Sequence, residues 1–208
     1  FIDIFAGPGG LGEGFSTFKD PDRQYCFKSV LSIEKEEKAH QTLQLRSFFR
    51  QFREEKYGAP EEYYEYLRDP IDLAWQTLEK KFPDHIDCAR KEAHCIELGG
   101  KGKANSPKAV SALVEKALGK KKFWGLLGGP PCQAYSVIGR SRMGGISSSD
   151  HRVFLYKEYL RILAQHAPAF FVFENVRGII SSDVNGENVF ERVRADLENP
   201  QGAFPKGR

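Results

Sequence analysis

Short apolar runs alternate with longer amphipathic stretches along this chain of 208 residues. Apolar runs bounded by glycine or by acidic residues are typical of buried parallel strands. The predicted strands are Phe1–Phe5, Cys26–Ile33, Glu92–Leu98, Phe123–Gly129 and Ala169–Asn175. The predicted helices run from the first glycines toward Phe18, over Pro107–Leu118 and over about Arg152–Gln165. This alternation predicts an α/β fold with a doubly wound, mostly parallel, Rossmann-like sheet.

Residues Lys35 to Lys81 interrupt this alternation, because they are rich in charged and aromatic side chains. They predict two or more helices that are separated near Gly58-Ala59-Pro60. The composition of Gly99–Lys108 predicts a loop, and that of the tail, Asn199–Arg208, predicts irregular structure. We interpret about 35–108 as a helical insertion in a single domain that spans residues 1–208.

Composition narrows the classes of function. The chain has 31 basic and 28 acidic side chains, a balance that permits a nucleic-acid partner without requiring one. No run approaches the roughly 18 apolar residues of a membrane span. The four cysteines show no disulfide framework, which predicts a reducing, intracellular setting. Cys26, Cys88 and Cys95 are predicted to be packed structural residues. The spacing within His85–Cys95 fits a zinc site poorly, so no metal is predicted.

A glycine-rich turn follows the first predicted strand. Its sequence, Gly7-Pro8-Gly9-Gly10-Leu11-Gly12, satisfies the pattern G-x-G-x-x-G, and Glu34 closes the next strand. Glycines permit a tight turn and close approach of the backbone to a ligand, and the acid can accept hydrogen bonds from ribose hydroxyls. The pattern leaves open a dinucleotide, S-adenosylmethionine or a packing turn without a ligand.

A second candidate site lies where the fourth predicted strand ends. Cys132 directly follows Pro130 and Pro131, and the two prolines restrict the backbone, so a thiolate there would be held in one place. The residues after it are polar, glycine-containing and basic, which suits contact with phosphates. The candidates are Gln133, Ser136 and Arg140.

Four motifs, taken in order, resemble those of the cytosine-5 DNA methyltransferases. They are FAGPGG, GGPPCQAYS, SSDHRVFLYKEYLRIL and FENVRG. Tyr135 stands where that family more usually has phenylalanine. The family's Gln-x-Arg-x-Arg element, target-recognition domain and final segment find no match before Arg208. The resemblance therefore implies a methyltransferase fold and a partial catalytic domain.

The resemblance also implies a cofactor, a substrate and roles for individual residues. S-adenosylmethionine would be the methyl donor, and the substrate would be a cytosine flipped out of double-stranded DNA. Cys132 would add to C6, Glu174 would stabilise charge at N3, and Asn175 would orient Glu174 or the cytosine amino group. The apolar approach Phe170–Phe173 would favour protonated Glu174 by desolvation.

The implied binding residues form two sets. The cofactor set is Phe5, Gly7, Gly9, Gly10, Leu11, Glu34, Pro130 and Leu155. The nucleic-acid set is Gln133, Ser136, Arg140 and Arg177, and a basic cleft could also include Arg142, Arg152 and Lys120–Lys122.

Other functions stay open at this point. A relative within the family acts on transfer RNA, so cytosine methylation in RNA is one alternative. A nicotinamide-dependent oxidoreductase would explain the glycine turn but not Cys132 or Glu174. A catalytically silent binding module would need neither of those side chains. The leading prediction is a monomeric enzyme of a restriction–modification system that works in the cytoplasm at the nucleoid, without a membrane partner.

Overall fold

The computed structural model describes residues 1–70, 72–131, 155–184 and 187–204. Within them, five parallel strands form one sheet in the order β3-β2-β1-β4-β5. The strands are β1 Ile2–Ile4, β2 Leu31–Glu34, β3 Ala93–Cys95, β4 Gly125–Gly128 and β5 Phe170–Phe173. The chain builds outward from β1 on one side and then crosses to β4 on the other, which is the doubly wound, Rossmann-like arrangement. The predicted fold class is confirmed.

Helices occupy most of the remaining described chain. They are α1 Gly10–Thr17, α2 Glu37–Arg50, α3 Glu61–Arg68, α4 Asp72–Lys81, α5 Pro83–Glu92, α6 Pro107–Leu118, α7 Tyr156–His166, α8 Val189–Glu198 and α9 Pro200–Ala203. A 3-10 helix spans Arg177–Ile179, and two short antiparallel strands, β6 Asp183–Val184 and β7 Glu187–Asn188, pair with each other.

The chain divides into two compact units, of which the first comprises Phe1–Phe5 and Glu97–Arg208. In this unit β4 pairs with β1 on one side and with β5 on the other. Tyr159 of α7 is fully buried, and its hydroxyl donates toward the carbonyl oxygens of Leu126 and Val172, each at 3.1 Å. A buried phenol needs such a partner. Tyr159 therefore links α7 to both β4 and β5.

The second unit, Ala6–Ile96, contains an aromatic core of its own. Phe48, Leu78 and Ile86 are almost completely buried there. The ring of His85 stacks on that of Phe52, with centroids 4.6 Å apart. This core lies within the predicted insertion, about 35–108, but so does β3 of the central sheet. The division into a domain and an insertion stays a prediction.

Several local predictions were wrong. The second strand begins at Leu31 and not at Cys26, because the chain before it turns back and the Cys26 amide donates to the Phe18 carbonyl at 3.1 Å. The tail is not wholly irregular, since α9 lies within it. The sequence patterns did not predict α5 or α8, whose buried residues are few.

The three described cysteines are exposed, so their predicted packing is wrong. Cys88 lies on the outer side of α5, between the buried Ile86 and Ala89. Cys95 ends β3, whose burial decreases from Ala93 outward, and its thiol contacts the carbonyl oxygen of Lys35 at 3.6 Å. Partial desolvation and the nearby carboxylates of Glu37 and Glu34 raise the pKa of this thiol. Its sulfur is therefore disfavoured as a thiolate.

The described residues contain no group of three or more His, Cys, Asp or Glu side chains that could hold a metal ion. None of the described helices has both the length and the apolar character that crossing a bilayer requires.

Phe48→Ala tests the importance of the aromatic core. Removing a fully buried phenyl ring is expected to lower the free energy of unfolding by about 3–5 kcal/mol, and Phe48→Leu is expected to lower it less. Tyr57, which is 87% exposed, provides the matched control, and Tyr57→Ala should stay within about 0.5 kcal/mol of wild type. Guanidinium denaturation of the full chain measures all three. Equal losses for Phe48→Ala and Tyr57→Ala would contradict a packed core.

Candidate functional site

The glycine-rich turn has the backbone geometry that only glycine adopts easily. Gly7 and Gly9 have positive φ angles of 56° and 88°, and α1 begins immediately afterwards, at Gly10. The Gly9 amide donates to the Ala6 carbonyl, and the Glu13 amide donates to the Gly9 carbonyl, each at 2.9 Å. The turn is thus closed on itself, as the sequence predicts.

The space beside the turn differs between Gly9, on the one hand, and Gly7 and Gly10, on the other. A methyl group on Gly9 would lie 2.7 Å from Cδ2 of Leu43, so α2 packs directly against this glycine. Among the described residues, a methyl group on Gly7 or Gly10 would meet no atom within 4 Å beyond the chain next to it. Leu11 is half-buried in the first turn of α1. The face that Gly7 and Gly10 present is therefore open to a ligand.

Phe5, at the end of β1, has a φ of 54°. This left-handed conformation costs a side chain with a Cβ roughly 1–2 kcal/mol. Such strained residues concentrate at functional sites, where the surrounding structure maintains them. The strain at Phe5 therefore supports a role for this motif beyond packing.

Glu34 ends β2, and three backbone amides hold its carboxylate. The Gly7 amide donates to Oε2 at 2.9 Å, and the amides of Lys35 and Glu36 donate to Oε1 at 2.8 Å each. A carboxylate can accept about four hydrogen bonds, so within the described chain one acceptor position is left, on Oε2. The side chain is fixed beside the turn with capacity for one further donor, whereas the sequence predicted contacts with two hydroxyls.

In the first unit, the carboxyl ends of β4 and β5 bring a second group of residues together. The Glu174 amide donates to the Gly128 carbonyl at 3.0 Å, and Nδ2 of Asn175 donates to the Pro130 carbonyl at 3.2 Å. Side-chain Oε2 of Glu174 would lie only 2.9 Å from a Cβ at Gly129. Gly129 therefore allows the Glu174 carboxylate to lie directly against the start of the Pro130 loop.

The proposed nucleophile, Cys132, directly follows Pro130 and Pro131 in the chain. Pro131 is the last described residue before it, and Cys132, Gln133, Ser136 and Arg140 lie outside the described residues, as do Arg142 and Arg152. Pro130 is buried and its neighbour Pro131 is half-buried, so the approach to Cys132 is packed against the protein.

Two expectations about the surroundings need correction. The Glu174 side chain is exposed, and β5 is only partly buried, because it is an edge strand of the described sheet. Within the described part of the chain, Phe170–Phe173 therefore do not enclose the Glu174 side chain as expected. Lys120–Lys122 lie after α6 and before β4, at the amino ends of the strands, which is the opposite edge from Pro130 and Glu174. They cannot line a cleft there.

The remaining predicted residues lie in the first unit as well. Leu155 is buried at the start of α7. Arg177 is exposed and begins the 3-10 helix after β5. It borders an apolar groove of about 680 Å³, whose lining includes Phe171, Phe173 and Phe190.

The sequence patterns missed the supporting role of two residues. Asn175 contacts the Pro130 carbonyl instead of Glu174, and Tyr159 contacts backbone carbonyls of both strands that carry the site. Tyr159 lies in the predicted helix over about Arg152–Gln165, but helical spacing does not indicate a hydrogen-bond partner.

Comparisons with known proteins show what this chain is similar to. A model of the family described as C-5 cytosine-specific DNA methylase matches residues 103–200. The type II methyltransferase M.Bpa9945I of Bacillus paralicheniformis is 33% identical over 95% of this chain and 44% of its own length. M.BspRI of Lysinibacillus sphaericus is 26% identical over 94% of the chain and 36% of its own length. M.FnuDI of Fusobacterium nucleatum is 49% identical over 39% of the chain and 22% of its own length. The chain thus spans less than half the length of these relatives.

Gly9→Ala tests the packing of the turn. A left-handed φ and the contact with Leu43 together are expected to lower the free energy of unfolding by about 2–4 kcal/mol. Gly10→Ala is the matched control, because Gly10 has open space and lies in α1, where alanine is a better helix former. Its stability should equal or slightly exceed that of wild type. A Gly9→Ala variant as stable as Gly10→Ala would show that α2 does not pack against the turn.

Proposed function

We propose that this chain belongs to the family of C-5 cytosine-specific DNA methylases, whose model matches residues 103–200, and that it methylates C5 of cytosine in double-stranded DNA with S-adenosylmethionine as the methyl donor. One observation carries the proposal: Glu174 and Asn175 lie against the residues that immediately precede Cys132. A nucleophile and an acid that must act on the same ring need this proximity.

The glycine turn and Glu34 fit an adenosyl cofactor. Gly7 and Gly10 leave open space beside the backbone, and Oε2 of Glu34 retains an acceptor position that suits a ribose hydroxyl. Phe5, Gly9, Leu11, Pro130 and Leu155 complete the proposed set. When bound, S-adenosylmethionine supplies the sulfonium methyl group that C5 takes up. A dinucleotide oxidoreductase would leave the contacts of Glu174 and Asn175 with the Pro130 loop without a role.

Covalent activation of the base is the task of Cys132. Its thiolate would form a bond to C6, and the electrons of the C5–C6 double bond would shift toward C5 and N3. Glu174, as the protonated acid, would donate a hydrogen bond or a proton at N3 and so stabilise this charge. After methylation, loss of the C5 proton would allow the S–C6 bond to break and release Cys132.

Asn175 acts in this scheme as a positioning residue. Its side-chain amide donates to the Pro130 carbonyl, while its Oδ1 accepts from the Val176 amide at 2.8 Å. The side chain is therefore held at both ends, and it connects the end of β5 to the loop that carries Cys132. This connection would fix the separation between acid and nucleophile.

Because the Glu174 carboxyl is exposed, the substrate would also have to shield it from water. The proposed step needs the protonated form of this carboxyl, whose side chain is exposed before the substrate binds. A cytosine that leaves the duplex and covers Glu174 would exclude water and favour that form. The chemistry would thus begin only when the flipped base is in place.

The biological setting follows from the names of the relatives, two of which are type II methyltransferases that align with nearly the whole chain. We propose that this protein likewise methylates host DNA in a restriction–modification system, inside the cell and in contact with the nucleoid. Gln133, Ser136, Arg140 and Arg177 would contact the DNA. The monomeric state stays a prediction.

Trapping on DNA that contains 5-fluorocytosine tests the reaction. Fluorine at C5 prevents the final elimination, so wild-type protein with S-adenosylmethionine should form a stable covalent adduct with the duplex. Cys132→Ser should form none, and Glu174→Gln should form it about 10²–10⁴ times more slowly. Denaturing gels and mass spectrometry would locate the bond. An adduct that persists in Cys132→Ser would refute the assigned nucleophile, and adducts on structured RNA alone would establish the RNA alternative.

Glu34→Ala tests the cofactor site separately. Loss of a hydrogen bond to a charged group, about 1.5–3 kcal/mol, predicts S-adenosylhomocysteine binding that is roughly 10–150 times weaker. Glu37→Ala is the control, because Glu37 is exposed in the first turn of α2. Cys132→Ser should also bind as wild type does, since the sulfur acts on the base. Isothermal titration calorimetry measures each variant, and unchanged binding by Glu34→Ala would exclude this carboxylate from the site.

A further inference from the structure

The loop that leads into α6 carries three lysines and no acidic residue between positions 99 and 108. Lys101, Lys103 and Lys108 are all exposed. Within the described chain, none of their ammonium groups forms an ion pair. The Glu97 carboxylate lies beside the loop, since its Oε2 would be 2.7 Å from a Cβ at Gly100. Residues 97–108 still carry a net charge of +2, which creates a local positive potential that attracts anions.

The loop has a defined shape that its own side chains maintain. Asn105 accepts from the Glu97 amide at 3.2 Å and donates to the Lys101 carbonyl at 2.7 Å. The Ser106 hydroxyl donates to the Lys103 carbonyl at 2.8 Å. The backbone atoms of both lysines are therefore fixed before any ligand arrives, which lowers the entropy cost of binding through their side chains.

Packing against α7 places this loop on the active side of the first unit. A Cβ at Gly99 would lie 3.3 Å from Cγ of Glu158 and 3.6 Å from Cδ2 of Leu155. Nη1 of Arg161 donates to the Pro107 carbonyl at 3.4 Å. The loop is thus held against the beginning of α7, where one proposed cofactor residue lies.

The direction of α6 leads to the same conclusion. This helix precedes β4 and returns the chain to the amino end of that strand, so its own beginning lies toward the carboxyl ends of the strands. Its 12 residues span roughly 18 Å. Lys101–Lys108 therefore lie at the edge that carries Pro130 and Glu174, and Lys120–Lys122 lie at the other end of the helix.

We propose that Lys101, Lys103 and Lys108 bind the phosphate backbone of the DNA duplex beside the target base. Lysine acts as a point charge, and the side-chain amide of Asn105 is already hydrogen-bonded within the loop. This surface would therefore contact phosphates and would not distinguish base edges. The proposal rests on the proposed function, because it takes DNA to be the substrate. It adds a sequence-independent contact that lies outside the motifs that carry Arg140 and Arg177.

Salt dependence of DNA binding tests the proposal. The loop variant Lys101→Ala/Lys103→Ala/Lys108→Ala is compared with the control Lys120→Ala/Lys121→Ala/Lys122→Ala, which removes the same charge at the far end of α6. The probe is a 30-base-pair duplex of mixed sequence, titrated by fluorescence anisotropy from 50 to 200 mM KCl. Each lost phosphate contact should reduce the slope of log K against log salt by about 0.9.

The wild-type affinity should therefore fall roughly 40 times more than that of the loop variant over this range, if all three contacts exist. The control variant should keep the wild-type slope, and both variants should bind S-adenosylhomocysteine as wild type does. A loop variant with the wild-type slope would overturn the proposal. An equal loss of slope in the loop variant and in the control variant would also overturn it. So would an effect that appears with structured RNA and not with duplex DNA.

The trapping experiment separates this inference from the proposed function. Adduct formation together with an unchanged slope in the loop variant would refute the lysine surface alone. Salt-dependent DNA binding through the loop without any adduct on 5-fluorocytosine would refute the methylation chemistry alone.

Discussion

The parallel pairing of β4 with β5 is the constraint on which the candidate chemistry depends. Gly128 stands opposite Phe173, and the ladder continues one residue further, with the Glu174 amide on the Gly128 carbonyl. Side chains alternate between the two faces of a strand, so a slip of one residue would turn Glu174 away from Gly129. The strand register, more than any side-chain contact, would therefore determine whether Glu174 and the proposed nucleophile can reach one ring.

Tyr159 of α7 stabilises this strand register. Its hydroxyl contacts the carbonyl oxygens of Leu126 in β4 and Val172 in β5. Burial, together with the negative charge of nearby Asp3, raises the pKa of this phenol far above its usual range. Tyr159 consequently stays neutral and keeps its donor at any pH at which the protein works. The helix that supplies Tyr159 is the one against which the lysine-bearing loop packs, so α7 organises both features.

Buried parallel strands have continuous apolar sequences, as in Gly125–Gly128, and glycines mark the turns that follow them. The sheet and the positions of the motifs could therefore be predicted. Helix α5 escaped prediction because its core contact is limited to Ile86 and Ala89, too few for a periodic signal. Glu174 was expected to be desolvated because β5 is apolar, but an apolar edge strand need not be buried. The Asn175–Pro130 hydrogen bond joins residues 45 positions apart, and no local pattern encodes its partner.

The exposure of Glu174 and the charge of the loop before α6 together suggest how binding and chemistry are coupled. Moving a base out of a duplex costs a few kcal/mol, and the site itself offers little to offset that cost while water still reaches the acid. Phosphate contacts through Lys101, Lys103 and Lys108 would stabilise the complex before and after flipping alike, so they raise occupancy without selecting the flipped state. On the proposed function, selection would then come from what only a flipped cytosine can do, which is to cover Glu174 and exclude water. The lysines would govern how tightly DNA binds, and the β4–β5 pair would govern which base reacts.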